Sequence, residues 1–260
     1  MYKVKAKKSL GQHFLKDEPT AQHIAETLSG EGYNKVLEIG PGMGMLTKYL
    51  LDNKDFETWV VELDTESVSY LRAKYLHLSA RIISKDFLHL DLDTLFDEPF
   101  AIIGNYPYNI SSQIVFKILD NPHKIVEFGG MFQKEVAMRF ASGPGNRDYG
   151  IPSVLLQTFY DVTYQFTVPP EVFDPPPRVE SGVIIARLKK DYVLPVSKKL
   201  YTDVIKTAFS QRRKMLNNAL SKFNIDWVAA DCADYAKLRA EKLHFTDFIK
   251  ITQYLESRKE

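Results

Sequence analysis

Cysteine and long apolar runs are nearly absent from this sequence. Its 260 residues include one cysteine, Cys232, which excludes an internal disulfide and leaves a free thiol typical of the reducing cytoplasm. No apolar run approaches the roughly 18 residues that a membrane-spanning helix needs. The N-terminal stretch is basic but has no apolar segment behind it, so we expect no secretory signal. Cysteine and histidine nowhere show the spacing of metal ligands, and we predict no metal site.

Charge is nearly balanced overall, at a formal +1, but it is unevenly distributed. The first 16 residues carry five lysines and no acid, residues 17–120 carry 8 basic and 17 acidic residues, and residues 189–222 carry nine lysines and arginines against two aspartates. Two basic ends around an acidic middle suggest that the ends hold a polyanion. The alternative is two solvated surfaces that are merely basic. The candidate phosphate contacts are Lys7, Lys8, Arg212, Arg213 and Lys214.

Short apolar runs alternate with segments of helical periodicity over the first 188 residues, in a composition that is 45% apolar and typical of globular proteins. The predicted strands are 35–39, 58–63, 81–84, 100–104, 125–132, 162–168 and 182–188. The predicted helices between them are 65–75, 111–119 and 149–160. This alternation predicts an α/β fold with a parallel sheet covered by helices on both faces. The last two strands have no helix between them and should be antiparallel neighbours at one edge.

After residue 190 only helical periodicity remains. It predicts helices over 198–208, 212–222 and 246–257, with a weaker pattern near 228–238. We therefore predict two domains, an α/β domain over residues 1–188 and a smaller all-helical domain over residues 189–260. In this arrangement Arg212, Arg213 and Lys214 would form the positive face of a helix that clamps phosphate, or simply a solvated helix surface.

A glycine-rich turn, Gly40-Pro41-Gly42-Met43-Gly44, follows the first strand. It does not match the dinucleotide pattern, and it lacks the Gly-Lys-Ser/Thr of a phosphate-binding loop. A Gly-x-Gly-x-Gly turn before a helix fits S-adenosylmethionine, which has a sulfonium and no pyrophosphate, so acidic surroundings favour its binding. By itself the turn is also compatible with a purely structural role.

Two acids follow the next two predicted strands and strengthen the cofactor interpretation. Glu62 ends the second strand and can accept hydrogen bonds from both ribose hydroxyls. Asp86 follows the third strand and can accept the adenine amino group, while the neighbouring Phe87 can pack on the ring. Because the carboxyl ends of parallel strands share one edge of the sheet, these residues should line one site in a Rossmann-like methyltransferase sheet.

The fourth strand ends in Asn105-Tyr106-Pro107-Tyr108, which predicts methyl transfer to an exocyclic adenine nitrogen. The lone pair of that nitrogen is delocalised into the ring, and two hydrogen-bond acceptors would turn it toward the methyl group. The Asn105 side-chain oxygen can be one acceptor, and a main-chain carbonyl of the stiff Tyr-Pro segment, with Tyr106 the best candidate, can be the other. Tyr108 can stack on the base. Fixed acceptors need no metal and no strong base.

Seven segments of the chain carry a resemblance to a known family. They are 8–15 (KSLGQHFL), 37–47 (LEIGPGMGMLT), 60–64 (VVELD), 105–111 (NYPYNIS), 131–136 (MFQKEV), 172–181 (VFDPPPRVES) and 209–216 (FSQRRKML). Together they resemble the ribosomal RNA adenine dimethyltransferases, and most closely the small-subunit branch associated with kasugamycin sensitivity.

The resemblance implies an rRNA (adenine-N6,N6)-dimethyltransferase. Its expected substrate is two adjacent adenosines in a hairpin near the 3′ end of small-subunit (16S) rRNA, on an immature 30S subunit, and we expect a cytoplasmic monomer. The resemblance also implies cofactor contacts by Gln12, His13 and Leu15 besides Gly40, Glu62, Asp86 and Asn105. Position 106 is usually Leu in the family and position 13 is often Asn.

Alternatives remain for one residue and for the function. Phe173, ahead of three prolines, is either a second stacking face for a flipped adenine or a core aromatic. The chain could also be a large-subunit rRNA methyltransferase of the macrolide-resistance type, or a non-catalytic assembly or nucleic-acid-binding factor. The intact glycine turn and Asn105 argue against binding alone, and the forms of segments 105–111 and 172–181 favour the small-subunit branch.

Overall fold

The computed structural model describes residues 4–190 and 193–258, which form two compact units. The first unit holds residues 4–137 and 163–188, and the second holds residues 138–162 together with the described residues after 188. The chain therefore passes between the units at residue 188, where the sequence predicts a domain boundary, and also on either side of residues 138–162. The two-domain division at residue 188 stays a prediction.

The described residues contain nine strands and nine α-helices. The strands are β1 (Phe14–Leu15), β2 (Lys35–Ile39), β3 (Glu57–Val61), β4 (Ile82–Ile83), β5 (Phe100–Asn105), β6 (Ile125–Gln133), β7 (Tyr160–Val168), β8 (Phe173–Asp174) and β9 (Ser181–Leu188). The helices are α1 (Glu18–Ala25), α2 (Met45–Asp52), α3 (Thr65–Lys74), α4 (Ser111–Asp120), α5 (Lys134–Ala141), α6 (Ile151–Phe159), α7 (Lys198–Ser210), α8 (Leu216–Ala219) and α9 (Phe245–Ser257).

Seven strands form one sheet in the order β4-β3-β2-β5-β6-β9-β7. The pairs β4–β3, β3–β2, β2–β5 and β5–β6 are parallel, and β6–β9 is antiparallel. The predicted α/β class and mostly parallel sheet are confirmed, as is the placement of the last two long strands side by side at one edge. Central strands such as β5, with Ile102 and Ile103 fully buried, are covered on both faces and therefore read as continuous apolar runs.

A separate pair of short strands brings the N-terminal segment to the sheet. Strand β1 pairs antiparallel with β8, with Phe14 opposite Asp174 and Leu15 opposite Phe173. Asp17 then caps α1 by accepting a hydrogen bond from the Thr20 N–H at 2.9 Å. Neither β1 nor α1 is predicted from the sequence pattern, because only Ala21 and Ile24 are buried in α1.

The second unit packs α6, α7, α8 and α9 around Tyr201, Phe209 and Phe248. The predicted helix over 212–222 is wrong, because residues 211–214 form a turn and α8 covers only Leu216–Ala219. Met215 instead bridges to Arg239, and the Leu216 N–H donates to the Leu238 carbonyl at 2.8 Å. Residues 228–238 contain only a short 3-10 turn, Tyr235–Lys237, in place of the weaker helical pattern. Among the described residues, no helix has the length and apolar character needed to cross a bilayer.

Candidate active site

A cavity in the first unit opens where β2, β3 and β5 end. Its walls come from the N-terminal segment, the glycine turn, the residues after β3 and β4, and the segment after β5. Twelve of the predicted site residues line it. They are Gln12, His13, Leu15, Gly40, Gly42, Glu62, Asp86, Phe87, Asn105, Tyr106, Pro107 and Tyr108.

The three glycines of the turn all have left-handed backbones, with φ values of 66°, 55° and 77° for Gly40, Gly42 and Gly44. Gly40 faces open space beside Pro107, and a Cβ on Gly42 would lie 2.8 Å from the Phe14 ring. Gly44 differs, because a Cβ there would meet the Tyr75 ring at 2.7 Å. Gly44 thus allows close packing at the start of α2, whereas Gly40 and Gly42 shape the cavity.

Glu62 is fixed at the end of β3 and faces the cavity with 6% of its surface exposed. Its Oε2 accepts a hydrogen bond from the Gly42 N–H at 3.0 Å, and its Oε1 accepts one from the Asp64 N–H at 2.9 Å. Burial raises the pKa of the Glu62 carboxyl, and the two main-chain donors oppose that rise. The carboxyl group therefore ties the glycine turn to the start of α3.

Asp86 and Phe87 form the wall after β4. Asp86 Oδ1 accepts a hydrogen bond from the Leu88 N–H at 2.9 Å, and its Oδ2 lies 2.9 Å from His89 Nδ1. Phe87 is 4% exposed, and Lys117 Nζ lies 5.6 Å from its ring centroid. These contacts hold an acid next to an aromatic face at the cavity wall.

Glu38 also lines the cavity, and it is not among the predicted site residues. It is 1% exposed, and Thr47 Oγ1 donates a hydrogen bond to its Oε2 at 2.5 Å. Burial raises the pKa of the Glu38 carboxyl to about 8. An acid in the middle of the buried run KVLEI is the signal that could have identified it, because an acid is rarely fully buried without a partner.

Asn105 occupies the end of β5 with a defined amide orientation. Its Nδ2 donates a hydrogen bond to the main-chain carbonyl of His13 at 2.9 Å. A carbonyl oxygen can only accept, so the amide nitrogen is the atom that faces His13 and the amide oxygen is directed elsewhere. The N-terminal segment thereby sets which atom Asn105 can offer to a ligand.

Tyr106 and Tyr108 are both anchored by their hydroxyl groups. Tyr106 is 1% exposed, and its hydroxyl donates to the Gly129 carbonyl at 2.7 Å. The Tyr108 hydroxyl lies 2.6 Å from Ser181 Oγ, and the His13 ring stacks on the Tyr108 ring with centroids 5.6 Å apart. Burial raises the pKa of both tyrosines. Both rings are therefore held in place as neutral phenols.

The N-terminal segment covers the cavity through several polar contacts. The Lys7 N–H donates to Gln12 Oε1 at 2.8 Å, and His13 Nδ1 lies 2.8 Å from the Pro175 carbonyl oxygen. Lys7 Nζ pairs with Asp64 and lies 3.0 Å from Glu66 Oε1. Lys7 is thus engaged by two carboxylates that follow β3 beside the cavity, whereas Lys8 is exposed.

The remaining predicted residues lie away from the cavity wall. Phe173 is 1% exposed in the core of the first unit with Leu15 and Ile24, which fits the core-aromatic alternative. In the second unit, Arg212 pairs with Glu241 at 2.7 Å and donates to the Arg147 carbonyl at 2.6 Å. Arg213 and Lys214 are exposed in the turn before α8.

Comparison with known proteins gives concordant matches over nearly the whole chain. The family model described as "Ribosomal RNA adenine dimethylase" matches residues 3–256. The chain is 55% identical to "Ribosomal RNA small subunit methyltransferase A" of Flavobacterium johnsoniae, across 99% of this chain and 98% of that protein. The protein of the same name from Cytophaga hutchinsonii is 50% identical, across 99% of this chain and 100% of that protein.

Solved structures share the fold at low sequence identity. A dimethyladenosine transferase from Plasmodium falciparum has a TM-score of 0.81 at 22% identity, covering 95% of this chain and 98% of that chain. The 23S rRNA methyltransferase ErmE has a TM-score of 0.71 at 23% identity, covering 94% of this chain and 99% of that chain.

Proposed function

The chain belongs to the ribosomal RNA adenine dimethylase family, and we propose that it dimethylates the exocyclic amino groups of two adjacent adenosines near the 3′ end of small-subunit rRNA. The observation that carries this proposal is the Asn105 amide, whose nitrogen is bound to the His13 carbonyl at the edge of the cavity. That contact leaves the amide oxygen as an acceptor for an adenine amino group. The chain is 50–55% identical, over nearly its full length, to proteins named small-subunit rRNA methyltransferases, and this similarity supports small-subunit RNA as the substrate.

The residues of the cavity fit S-adenosylmethionine, the methyl donor. When bound, it supplies an electrophilic methyl group on a positively charged sulfur. Glu62 offers remaining carboxylate lone pairs to the ribose hydroxyls, while Asp86 and Phe87 offer an acceptor and an apolar face to the adenine. Gly40 and Gly42 let the main chain come close to the ligand. The acidic Glu62 suits a cationic ligand and would repel a pyrophosphate.

Asn105 and the Tyr106 carbonyl would orient the amino group of the target adenine. Each acceptor takes one N–H, which turns the nitrogen lone pair toward the methyl group and stabilises the positive charge that develops on nitrogen. The Tyr106 main chain is well anchored, because its N–H donates to the Met131 carbonyl at 3.2 Å and its buried ring is hydrogen-bonded to Gly129. Fixed acceptors act without reorganising.

Tyr108 is the proposed stacking residue for the flipped adenine. One face of its ring contacts His13, so the base would use the other face, and base stacking on an aromatic ring contributes ~1–3 kcal/mol. The target must leave its own stack to reach the cavity, which is easiest in a hairpin loop. Phe173 would have to leave the core to stack, and we assign it to packing behind the β1–β8 pair.

RNA contacts outside the cavity are proposed for the exposed cations Lys8, Arg213 and Lys214. Their charges are available to phosphate, whereas Lys7 and Arg212 are engaged by carboxylates. We further propose that the protein acts in the cytoplasm as a monomer on an immature small subunit.

The proposal is tested by mapping dimethyladenosine in both ribosomal RNAs from cells that lack the protein. We expect two adjacent adenosines of small-subunit RNA to lose their methyl groups and to regain them with the wild-type chain. Asn105→Ala should not restore them. Methyl groups restored only in large-subunit RNA would establish the macrolide-resistance type of activity, and unchanged RNA would favour a non-catalytic assembly factor.

A further inference from the structure

Glu38 is a buried acid on the cavity wall that the proposed mechanism does not use. It is the fourth residue of β2, opposite Val60 of β3 and Ile103 of β5 in the sheet, and 1% exposed. A carboxylate in such a position is costly unless another charge pairs with it. The position therefore raises the question of what neutralises Glu38.

The described residues supply Glu38 with no counter-charge. The Thr47 hydroxyl of α2 donates to Oε2, and Glu38 forms no ion pair with any lysine, arginine or histidine among the described residues. Glu62 carries charge of the same sign, which adds to the effect of burial in raising the pKa of Glu38 to about 8. At neutral pH the free protein thus holds this carboxyl group largely protonated.

The cavity wall carries further titratable groups that could influence Glu38. They are His13, Glu62, Lys85, Asp86, Tyr106 and Tyr108. The strands on either side of Glu38 place apolar residues opposite it, and Thr47 of α2 is neutral. Lys85 is the lysine on this wall, and it is not paired with Glu38. A missing positive charge is what the methyl donor brings, since it carries a sulfonium and an α-ammonium.

We propose that Glu38 recognises the positive charge of the methyl donor and releases its own proton to solvent when the donor binds. This inference rests on the proposed function only through the identity of the cofactor. The carboxyl group is then protonated in the free protein and ionised in the complex. Glu38 would bind cationic ligands in preference to neutral ones of the same shape.

The sign of the pH dependence follows from this exchange. Below pH 8 the free protein must give up a proton to bind, so affinity for the donor should rise with pH by up to about tenfold per unit. Above pH 8 the free carboxyl group is already ionised, and the rise should stop. Protonation changes of Glu62 are common to wild type and a Glu38 variant. The difference between their pH profiles of donor affinity therefore reports on Glu38 alone.

Calorimetry at pH 7 in buffers of different ionisation enthalpy counts the protons released. For wild type we expect up to one more proton released with S-adenosylmethionine than with 5′-methylthioadenosine, which lacks both positive groups. S-adenosylhomocysteine keeps the ammonium and lacks the sulfonium, so it shows which of the two charges Glu38 detects. Glu38→Gln keeps the shape and an acceptor for Thr47 and should abolish the excess proton release and flatten the pH profile.

Thr47→Val is the matched control, because it removes the hydrogen bond to Glu38 and retains the carboxyl group. It should keep the excess proton release. Equal proton counts for wild type and Glu38→Gln with every ligand would overturn the inference and leave Glu38 as a neutral partner of Thr47. Failure of all three ligands to bind wild type would instead contradict the proposed cofactor.

Discussion

Asn105 is the side chain whose replacement should reduce methyl transfer most. If its amide oxygen is an acceptor needed in the transition state, Asn105→Ala loses one preorganised group, worth ~2.7–4 kcal/mol or about 10²–10³ in turnover. The affinity for S-adenosylmethionine should fall by less than about tenfold, because Glu62, Asp86 and the glycine turn remain. The assay is methyl incorporation at saturating RNA and cofactor, with cofactor binding measured by calorimetry.

Asn105→Asp tests whether an acceptor oxygen at position 105 is sufficient or whether its orientation by the His13 carbonyl is also needed. An aspartate keeps an acceptor oxygen, but its second oxygen would replace Nδ2 at 2.9 Å from the His13 carbonyl. Two oxygens without a proton between them repel, so the ionised side chain should turn away or displace the N-terminal segment. We expect Asn105→Asp to be nearly as inactive as Asn105→Ala and to recover partly at lower pH, where a protonated carboxyl group can donate to His13.

Two outcomes would refute this reasoning. Turnover of Asn105→Ala above about a tenth of wild type would mean that the amide oxygen is not the acceptor that matters. Full activity of Asn105→Asp at neutral pH would mean that the contact with the His13 carbonyl does not set the orientation of the group.

Three further predictions concern Glu62, the exposed cations before α8 and Tyr106. Glu62→Ala should raise the dissociation constant of S-adenosylmethionine by about tenfold to a hundredfold, through lost hydrogen bonds of ~1.5–3 kcal/mol; unchanged calorimetric affinity would contradict this. Replacing Arg213 and Lys214 with Ala should lower the slope of log RNA affinity against log salt by about two units, whereas Arg212→Ala should change it little; equal slopes for all variants would contradict phosphate contact. Tyr106→Leu should lower the free energy of unfolding by ~1–3 kcal/mol in denaturant titrations without changing turnover per folded molecule.

The sheet was predictable because its strands carry their own signals. Strands β2, β5 and β6 are apolar runs bounded by turn residues, and each was located to within about one residue. The sequence does not predict helix α1, because half of its residues, EPTAQHIA, are polar and only two side chains are buried. Its available signals were the Asp17 cap and a proline in the first turn.

The wrongly predicted helix over residues 212–222 shows that local periodicity does not detect tertiary hydrogen bonds. The segment does not form a regular helix. Arg212 donates hydrogen bonds to Glu241 and to the Arg147 carbonyl, and the Leu216 N–H donates to the Leu238 carbonyl. All three partners are more than 20 residues away in sequence. Tertiary hydrogen bonds therefore replace the regular helix that the spacing of apolar residues favours.

Much of the cavity could be predicted because parallel strands end at a common edge. Glu62, Asp86 and Asn105 follow successive strands, and this order alone brings them together. Gln12 and His13 had no such signal and came from the resemblance, since the β1–β8 pair that places them joins residues about 160 positions apart. Gly44 and Phe173 lie within motif segments, but both contribute to packing. Gly44 leaves room for the Tyr75 ring, and Phe173 is part of the hydrophobic core.

Formal charge overstates how much of the basic N-terminus is available to RNA. The Lys7 ammonium pairs with Asp64 and Glu66, and these contacts raise the pKa of Lys7. Asp64 caps α3 two residues after Glu62, and its N–H donates to the Glu62 carboxylate. Lys7 therefore ties the N-terminal segment to the residues that follow β3 beside the cavity, and the same segment supplies the His13 carbonyl that orients Asn105. The two neighbouring lysines therefore differ. Lys7 holds the N-terminal segment beside the cavity, whereas Lys8 is exposed and its charge is available to phosphate.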